Sequence, residues 1–386
     1  MAVFFLDIQT TGPNPEKGHL LEIAWGETAE LIQSFVVKVP GEIPLRILSM
    51  TGINESELAC AVDPAQIAER LRAFVAARPG AICIIHYAKF EKPFLAALLG
   101  EIPFEILCTH ELAKRVVPQL PSRGLRGLAG FFGYAKGEQK RASAHVEATA
   151  AVWKGLGEKI GEATPEAALR WLGESVPKRQ GYTYPIERFK RLDLPAKPGI
   201  YRFLNKLGAV LYVGKATSLK DRVNSYFRGR KGRDSRKLEM LTQAWDLEVT
   251  ECPNILEASM LESDLIKELK PPYNLALKSE NKNLLFYSRD FQSCGATCNA
   301  EHVVGPFPSS SVLERLCLFC RSAKTGEIDP EIFYEPADSE ILQRGYRLFL
   351  ETHSLTENQA RGVRTMIAFG MQKLRRIRVD EEIEAE

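Results

Sequence analysis

The stretch of sequence that decides the fold is PGIYRFLNKLGAVLYVGKA, residues 198–216. Two apolar runs flank the polar segment NKLG, and this pattern predicts a β-hairpin with NKLG as its turn. Gly199-Ile200-Tyr201 lies in the first run, and Tyr212-Val213-Gly214 lies in the second. Lys215 follows the second run directly. The predicted hairpin therefore carries two tyrosines and a lysine within one short segment.

Two predicted helices downstream add a cation and a carboxylate. LKDRVNSYF predicts a helix containing Arg222, and the amphipathic LEASMLESDLIKELK contains Glu262 and stops before two prolines. Asn274 follows those prolines. Glu262 lies beside the apolar stripe of its helix, because Ala258 and Ile266 are four residues away on either side. A carboxylate at such a position costs free energy unless it has a partner or a metal ion.

These residue types suit phosphodiester hydrolysis. Glu262 offers a hard oxygen ligand for Mg²⁺ or Mn²⁺. Arg222 offers a permanently charged, bidentate donor for a phosphate oxygen, and Lys215 adds a point charge. A tyrosine close to such cations would have a lowered pKa and would serve as a general base. The alternative interpretation is structural, with paired hairpin aromatics and a surface arginine.

The five motifs, in their order and spacing, resemble the N-terminal nuclease domain of the C component of excinuclease ABC and of its shorter homologue Cho, from Lys197 to Lys278. The resemblance implies a small α+β GIY-YIG endonuclease domain over residues 198–280 that cuts one DNA strand. It makes Tyr212 the residue nearest the nucleophile. The residues that it assigns to the site are Tyr201, Tyr212, Lys215, Arg222 and Asn274, with Glu262 as the ligand of one Mg²⁺ or Mn²⁺.

Basic residues are concentrated in the same region. Residues 195–280 contain 15 Lys and Arg against 11 Asp and Glu, and RGRKGRDSRK at 228–237 is the densest run. Contact with a phosphate backbone is the natural use of such a run, and a solvated loop is the alternative.

Residues 1–160 predict a different domain. VFFLDI and LIQSFVVKV are typical of strands, AQIAERLRAFVAAR of a helix, and ASAHVEATAAVWKGLGEKI of a long helix, so the alternation favours an α/β fold. FLDIQTTG, HYAKFEKPFL at 86–95 and KRASAHVEAT at 140–149 resemble the three motifs of the DnaQ-like (DEDDh) 3′–5′ exonucleases. This resemblance implies an RNase H-like α/β exonuclease fold.

The resemblance also predicts a degenerate exonuclease site. That family binds two Mg²⁺ with four carboxylates and uses a histidine as base. This chain retains Asp7 and offers Glu91 in place of an aspartate, but Gln9 replaces a glutamate, Lys140 the histidine and His145 an aspartate. Two carboxylates carry too little negative charge to balance two dications. A lysine is also a poor base at neutral pH. We therefore expect this domain to be inactive and to bind DNA or a partner protein.

The remaining segments are less informative. Residues 161–197, rich in prolines and basic residues, predict a linker, and residues 281–386 predict a mostly helical region. The spacing of four cysteines there is compatible with a structural Zn²⁺ site, although two of them also fit a helical core stripe. These cysteines are Cys294, Cys298, Cys317 and Cys320. We recognise neither a second nuclease nor helix-hairpin-helix elements, which predicts one incision rather than two.

Composition sets broad limits. The 386 residues include 51 basic and 49 acidic side chains, a net charge of +2 that neither requires nor excludes a nucleic-acid partner. No stretch approaches the roughly 18 apolar residues of a membrane span, and eight cysteines without a secretion signal predict reduced thiols in the cytoplasm. The expected partners are DNA and the helicase that forms the B component of the excision-repair system, with no membrane and no small-molecule substrate.

Three functions remain open at this point. The first is a DNA-repair endonuclease of the nucleotide excision repair type, acting through the GIY-YIG site. The second is an active 3′–5′ exonuclease, similar to the ε subunit of a DNA polymerase, with an accessory GIY-YIG domain. The third is a non-catalytic DNA-binding adaptor. The losses at Gln9, Lys140 and His145 disfavour the second, and the intact set over residues 199–274 disfavours the third.

Overall fold

The computed structural model describes residues 2–28, 31–134, 140–178, 181–228, 234–253, 255–274, 284–288, 294–295 and 300–308. Within these residues no helix combines the length and the apolar character that a bilayer crossing needs.

The first domain is built on a five-stranded sheet in the order β3-β2-β1-β4-β5. Strands β1 and β2 and strands β2 and β3 pair antiparallel, whereas β4 runs parallel to both β1 and β5. The strands are β1 (Val3–Thr10), β2 (Leu20–Gly26), β3 (Ile32–Val36), β4 (Ile82–Ile85) and β5 (Ile106–Cys108). A sheet of this kind, connected by helices, agrees with the predicted α/β fold of this domain.

Helices cover both faces of this sheet, as the continuous apolar run of β1 requires. Phe4 and Leu6 pack against α3 and α4, and Phe5 packs on the opposite face against α5, α6 and α7. The helices of this region are α1 (Leu45–Thr51), α2 (Glu55–Ala59), α3 (Pro64–Ala76), α4 (Ala88–Leu99), α5 (Thr109–Val116), α6 (Leu125–Phe132) and α7 (Ala142–Ile160).

The segment interpreted as a linker contains two helices, α8 (Pro165–Gly173) and α9 (Arg188–Leu192). Ala168 of α8 is buried in the core of the first domain. Ile186 is buried in the core of the second domain, and the Thr183 N–H donates to the Gln119 carbonyl. The segment that was interpreted as a linker from its prolines and basic residues therefore contributes an apolar side chain to the core of each domain.

The second domain has a three-stranded antiparallel sheet in the order β7-β6-β8. Its hairpin forms as predicted, and the Asn205 side chain accepts from the Leu207 and Ala209 N–H groups while Gly208 adopts a φ of 81°. The elements are β6 (Gly199–Leu204), β7 (Val210–Ala216), α10 (Leu219–Ser225), α11 (Ser235–Gln243), β8 (Asp246–Glu251) and α12 (Ile255–Leu269). This is the α+β arrangement expected for the second domain.

Three further strands pair antiparallel in the order β10-β9-β11: β9 (Leu284–Ser288), β10 (Cys294–Gly295) and β11 (His302–Pro308). The helical structure predicted for the C-terminal region falls mainly on residues 309–386, which lie outside the described residues.

Candidate active site

Three tyrosines meet at the centre of the second domain. The hydroxyl of Tyr201 on β6 lies 2.9 Å from that of Tyr226, which follows α10. Tyr212 on β7 contributes the third ring, with its centroid 6.1 Å from that of Tyr201 and 6.4 Å from that of Tyr226. Sequence analysis did not identify Tyr226. The available signal was its spacing, because a residue four positions after Arg222 lies on the same helix face.

A glycine makes this cluster possible. Tyr201 pairs with Gly214 across the sheet. A Cβ atom at Gly214 would lie 2.4 Å from the Tyr201 hydroxyl oxygen and 2.8 Å from the Tyr212 ring. The glycine that ends the Tyr-Val-Gly motif therefore leaves the space that both rings occupy.

The tyrosines differ in accessibility. Tyr201 is fully buried, whereas Tyr212 and Tyr226 are partly exposed. The Tyr201 hydroxyl is therefore shielded from solvent and contacts the hydroxyl of the more accessible Tyr226.

Burial raises the pKa of Tyr212, and the neighbouring Tyr226 adds to the rise, while Arg222 opposes it only weakly. The pKa of Tyr201 is raised for the same reasons, with burial again the main cause. The expectation that nearby cations give a tyrosine a lowered pKa is therefore wrong for the chain's own groups. Desolvation of a phenolate outweighs the attraction of one guanidinium.

The predicted cation and carboxylate lie near this cluster. Arg222 is exposed on α10, and its guanidinium carbon is 5.6 Å from the Tyr226 ring centroid. Interaction with the tyrosines, Tyr201 first, raises the pKa of Arg222 and keeps it charged. On α12, Glu262 accepts a hydrogen bond from the Lys215 N–H at 3.2 Å and pairs with its ammonium group at 3.2 Å. The Glu262 side chain retains 18% exposure and so remains reachable from solvent.

Asn274 is buried and holds the outer edge of β7. Its side-chain oxygen accepts from the Val213 N–H at 2.9 Å, and its amide donates to the Val213 carbonyl at 2.8 Å. Both halves of the amide are thus used by the strand that carries Tyr212. Asn274 therefore fixes β7 through both polar atoms of its side chain.

The basic run at 228–237 falls partly outside the described residues. Arg236, near its end, donates to the Pro272 carbonyl at 2.9 Å and so supports the loop that precedes Asn274.

The predicted degenerate site of the first domain is assembled in part. Asp7 on β1 lies 3.1 Å from Nδ1 of His145 on α7, and the Gln9 amide lies 3.3 Å from the same nitrogen. Burial raises the pKa of Asp7, although His145 partly offsets that effect. The His145 ring therefore lies directly beside the Asp7 carboxylate and the Gln9 amide.

Glu91 on α4 is deeply buried at 3% exposure, and its Oε2 atom has no hydrogen-bond partner. Burial, with a smaller contribution from Asp7, raises its pKa well above the usual range. In the absence of a cation, burial thus favours the neutral acid of Glu91.

Lys140, which the sequence motif assigns to this site, contacts helix α1. Its ammonium group donates to the Ser49 carbonyl at 3.3 Å, on α1. Its neighbour Arg141 instead pairs with the fully buried Glu22 at 2.7 Å and with Glu57 at 2.5 Å. This ion-pair network could not be predicted from the sequence, because 119 residues separate Arg141 from Glu22.

No group of three or more histidine, cysteine or acidic side chains in the described part of the chain is arranged to hold a metal ion. Cys294 begins β10, but Cys298, Cys317 and Cys320 lie outside the described residues. The predicted zinc site stays a prediction.

Comparison with known proteins finds relatives for parts of this chain. Residues 197–275 match the family model described as UvrC-like GIY-YIG domain. A Mycobacterium tuberculosis protein named as a candidate bifunctional exonuclease/endonuclease is 33% identical over 244 residues, covering 60% of this chain and 36% of that protein. The chain spans about a third or less of the length of the curated relatives it matches.

Two solved structures are also similar. The GIY-YIG N-terminal endonuclease domain of UvrC from Thermotoga maritima, bound to magnesium, is 38% identical, covering 23% of this chain and 94% of that one, with a TM-score of 0.21. Exonuclease X in complex with duplex DNA is 20% identical, covering 44% of this chain and 99% of that one, with a TM-score of 0.36.

Proposed function

We propose that this chain, whose residues 197–275 form a GIY-YIG domain of the UvrC type, is a divalent-metal-dependent DNA endonuclease of the nucleotide excision repair type that nicks one strand. The observation that carries the proposal is the convergence of Tyr212, Tyr226 and the charged Arg222 beside the accessible carboxylate of Glu262. Hydrolysis of a phosphodiester needs a hydrogen-bond acceptor for the attacking water, a cation for the phosphate and a ligand for the metal ion.

Glu262 suits a single hard cation. One partly exposed carboxylate leaves positions for water and for substrate phosphate, which is how Mg²⁺ is commonly bound in phosphoryl-transfer sites. Its two contacts to Lys215, both at 3.2 Å, are long enough to be exchanged for a ligand. When bound there, Mg²⁺ or Mn²⁺ supplies Lewis-acid stabilisation of the charge that develops on the phosphate.

The chain's own residues then have separate roles. Arg222 donates to a phosphate oxygen, and Lys215, released from Glu262, adds a second positive charge. The Tyr212 hydroxyl oxygen orients the attacking water as a hydrogen-bond acceptor, within the chain of tyrosine hydroxyls, rather than as a preformed phenolate. Tyr201 and Asn274 position Tyr226 and β7, respectively.

The first domain is proposed to be catalytically inactive and to direct the nuclease by binding DNA or a partner. Support comes from the Asp7–His145 contact, which places an imidazole where the family motif has a carboxylate, and from the neutral Gln9 at the position of a second carboxylate. Damage recognition is then supplied by another excision-repair protein, for which the B-component helicase is the candidate.

A plasmid assay tests the proposal. Supercoiled, ultraviolet-irradiated plasmid is incubated with the chain in Mg²⁺, in Mn²⁺ and in EDTA, with and without the B-component helicase. Conversion to the open circle in either metal, but not in EDTA, is expected. DNA binding without conversion in every arm would instead identify an adaptor, and shortening of linear single strands without plasmid nicking would identify an exonuclease.

A further inference from the structure

The two domains are joined by an unusually close helix contact between α6 and α11. A Cβ atom at Gly130 of α6 would lie 2.3 Å from Oε1 and 2.8 Å from Cβ of Gln243 on α11. A Cβ atom at Gly127, one turn earlier, would lie 3.3 Å from Cγ of Glu239. The two glycines therefore allow α11 side chains to rest directly on the backbone of α6.

Hydrogen bonds fix this contact at both ends. The Ser122 N–H, before α6, donates to the buried hydroxyl of Thr242 at 2.8 Å. The Trp245 indole, after α11, donates to the Phe131 carbonyl at 3.1 Å, and the two rings stack with centroids 5.5 Å apart. Such paired, directional contacts set one relative position of the two helices.

A buried tyrosine lies against the same contact. The hydroxyl of Tyr273 donates to Glu239 at 2.6 Å and accepts from the Gln243 amide at 2.5 Å. On the side of the first domain, the Arg126 guanidinium carbon lies 4.9 Å from the Tyr273 ring centroid, and its Nε atom lies 3.9 Å from Glu239. Tyr273 is thus bound by the same two α11 side chains that rest on the α6 glycines.

Tyr273 directly precedes Asn274, the residue that holds β7. The Tyr273 N–H donates to the Leu211 carbonyl at 3.1 Å, and the Asn274 amide bonds both backbone groups of Val213. These two backbone positions flank Tyr212. The loop therefore connects the α6–α11 contact to the strand that presents the proposed water-orienting tyrosine.

We infer that α6 of the exonuclease-like domain contributes to the activity of the nuclease domain. Through Gln243, Glu239 and Tyr273, α6 positions Asn274 and hence Tyr212. The inference rests on the proposed endonuclease function for its catalytic consequence. Arg126, Glu239, Gln243 and Tyr273 are positioning residues, none of which contacts the substrate. The first domain, without an active site of its own, determines the turnover of the second.

Two variants of the full chain test this connection between α6 and Tyr212 without altering the catalytic groups. Gly130→Ala displaces Gln243, and Tyr273→Phe removes the hydroxyl that joins Glu239 and Gln243. Because misplacement by about 1 Å can cost about 100-fold in rate, we expect each variant to lower kcat for plasmid nicking by about tenfold with KM unchanged. The control is Gly173→Ala, a helical glycine with open space around it at the end of α8, which retains wild-type kcat.

Hydrogen exchange of the Val213 amide provides a readout that does not require activity. Faster exchange of this amide in Gly130→Ala and Tyr273→Phe, with unchanged exchange in the core of β1, is expected. Wild-type kcat and wild-type Val213 exchange in both variants would overturn the inference. A wild-type chain that never nicks DNA would remove the proposed function, while the exchange data would still decide whether α6 positions the loop.

Discussion

The hydroxyl oxygen of the buried Tyr201 lies 2.9 Å from that of the partly exposed Tyr226. This contact divides the tyrosines by role, because only Tyr226 and Tyr212 reach the surface where DNA would bind. Tyr201 fixes the orientation of Tyr226, and Tyr226 in turn lies between Tyr212 and Arg222.

The first prediction concerns Tyr226. Replacement by phenylalanine retains the ring packing and removes the hydroxyl that bonds Tyr201, so the protein should fold and bind DNA normally. We expect the nicking rate to fall by about 100-fold, which is the lower end of the rate loss seen when a group that takes part in proton transfer is removed. We expect a similar or larger loss for Tyr212→Phe. Single-turnover nicking and a DNA-binding titration measure the two effects. Tyr182→Phe, outside the cluster, is the control, and wild-type rates in both site variants would refute the assignment.

The second prediction concerns the metal ligand. Glu262→Gln retains shape and removes the charge, so we expect metal-dependent nicking to fall by at least about 100-fold, as the loss of several kcal/mol of stabilisation implies. The Mg²⁺ concentration that gives half-maximal rate should rise as well. The matched control is Glu248→Gln, which lies on β8 and pairs with Arg202 at 2.9 Å. Equal metal dependence in the two variants would exclude Glu262 as the ligand.

The second domain was largely predictable from sequence because its motifs are local. Tyr201, Gly214 and Tyr212 lie on one hairpin, whose register follows from a short turn. Tyr226 was not predicted, because its one signal, the four-residue spacing from Arg222, is shared by many residue pairs that have no common role. The direction in which the tyrosine pKa values are shifted was not predicted either. Motif spacing indicates that a tyrosine is close to cations, but it does not indicate how deeply the tyrosine is buried.

In the first domain the fold could be predicted, but the partners of individual charges could not. Asp7, Gln9 and His145 do converge, as the motif resemblance implied. Lys140 points to Ser49, and Arg141 takes up the buried Glu22 instead. A difference of one residue at the start of α7 decides which side chain faces inward, and sequence spacing alone does not resolve it.

The third prediction concerns exonuclease activity. In a Glu262→Gln background, 5′-labelled single-stranded DNA with Mn²⁺ should not be shortened, because Gln9 and His145 replace two of the four carboxylates with which the family motif binds its dications. Restoring carboxylates with Gln9→Glu and His145→Asp together should increase Mn²⁺ binding to the chain, measured by calorimetry. Shortening by the unrestored chain that is abolished by Asp7→Ala would show that the site is active.

The fourth prediction concerns stability and pH. His86, at the end of β4, is 6% exposed, its Nδ1 lies 2.9 Å from the Thr109 hydroxyl, and its Nε2 is buried without a partner. Burial, aided by the nearby His110 and His145, lowers the pKa of His86 to about 3.

Between pH 6.5 and about 3 the unfolded chain therefore takes up a proton at His86 that the folded chain excludes, so this group destabilises the fold as pH falls. The effect amounts to about 2 kcal/mol at pH 5 relative to pH 8, because one pKa unit corresponds to about 1.4 kcal/mol. His86→Phe should remove that part of the pH dependence, measured by urea unfolding at both pH values. His19→Gln, at an exposed histidine, is the control. An unchanged difference between pH 8 and pH 5 in His86→Phe would show that His86 is protonated within the folded protein.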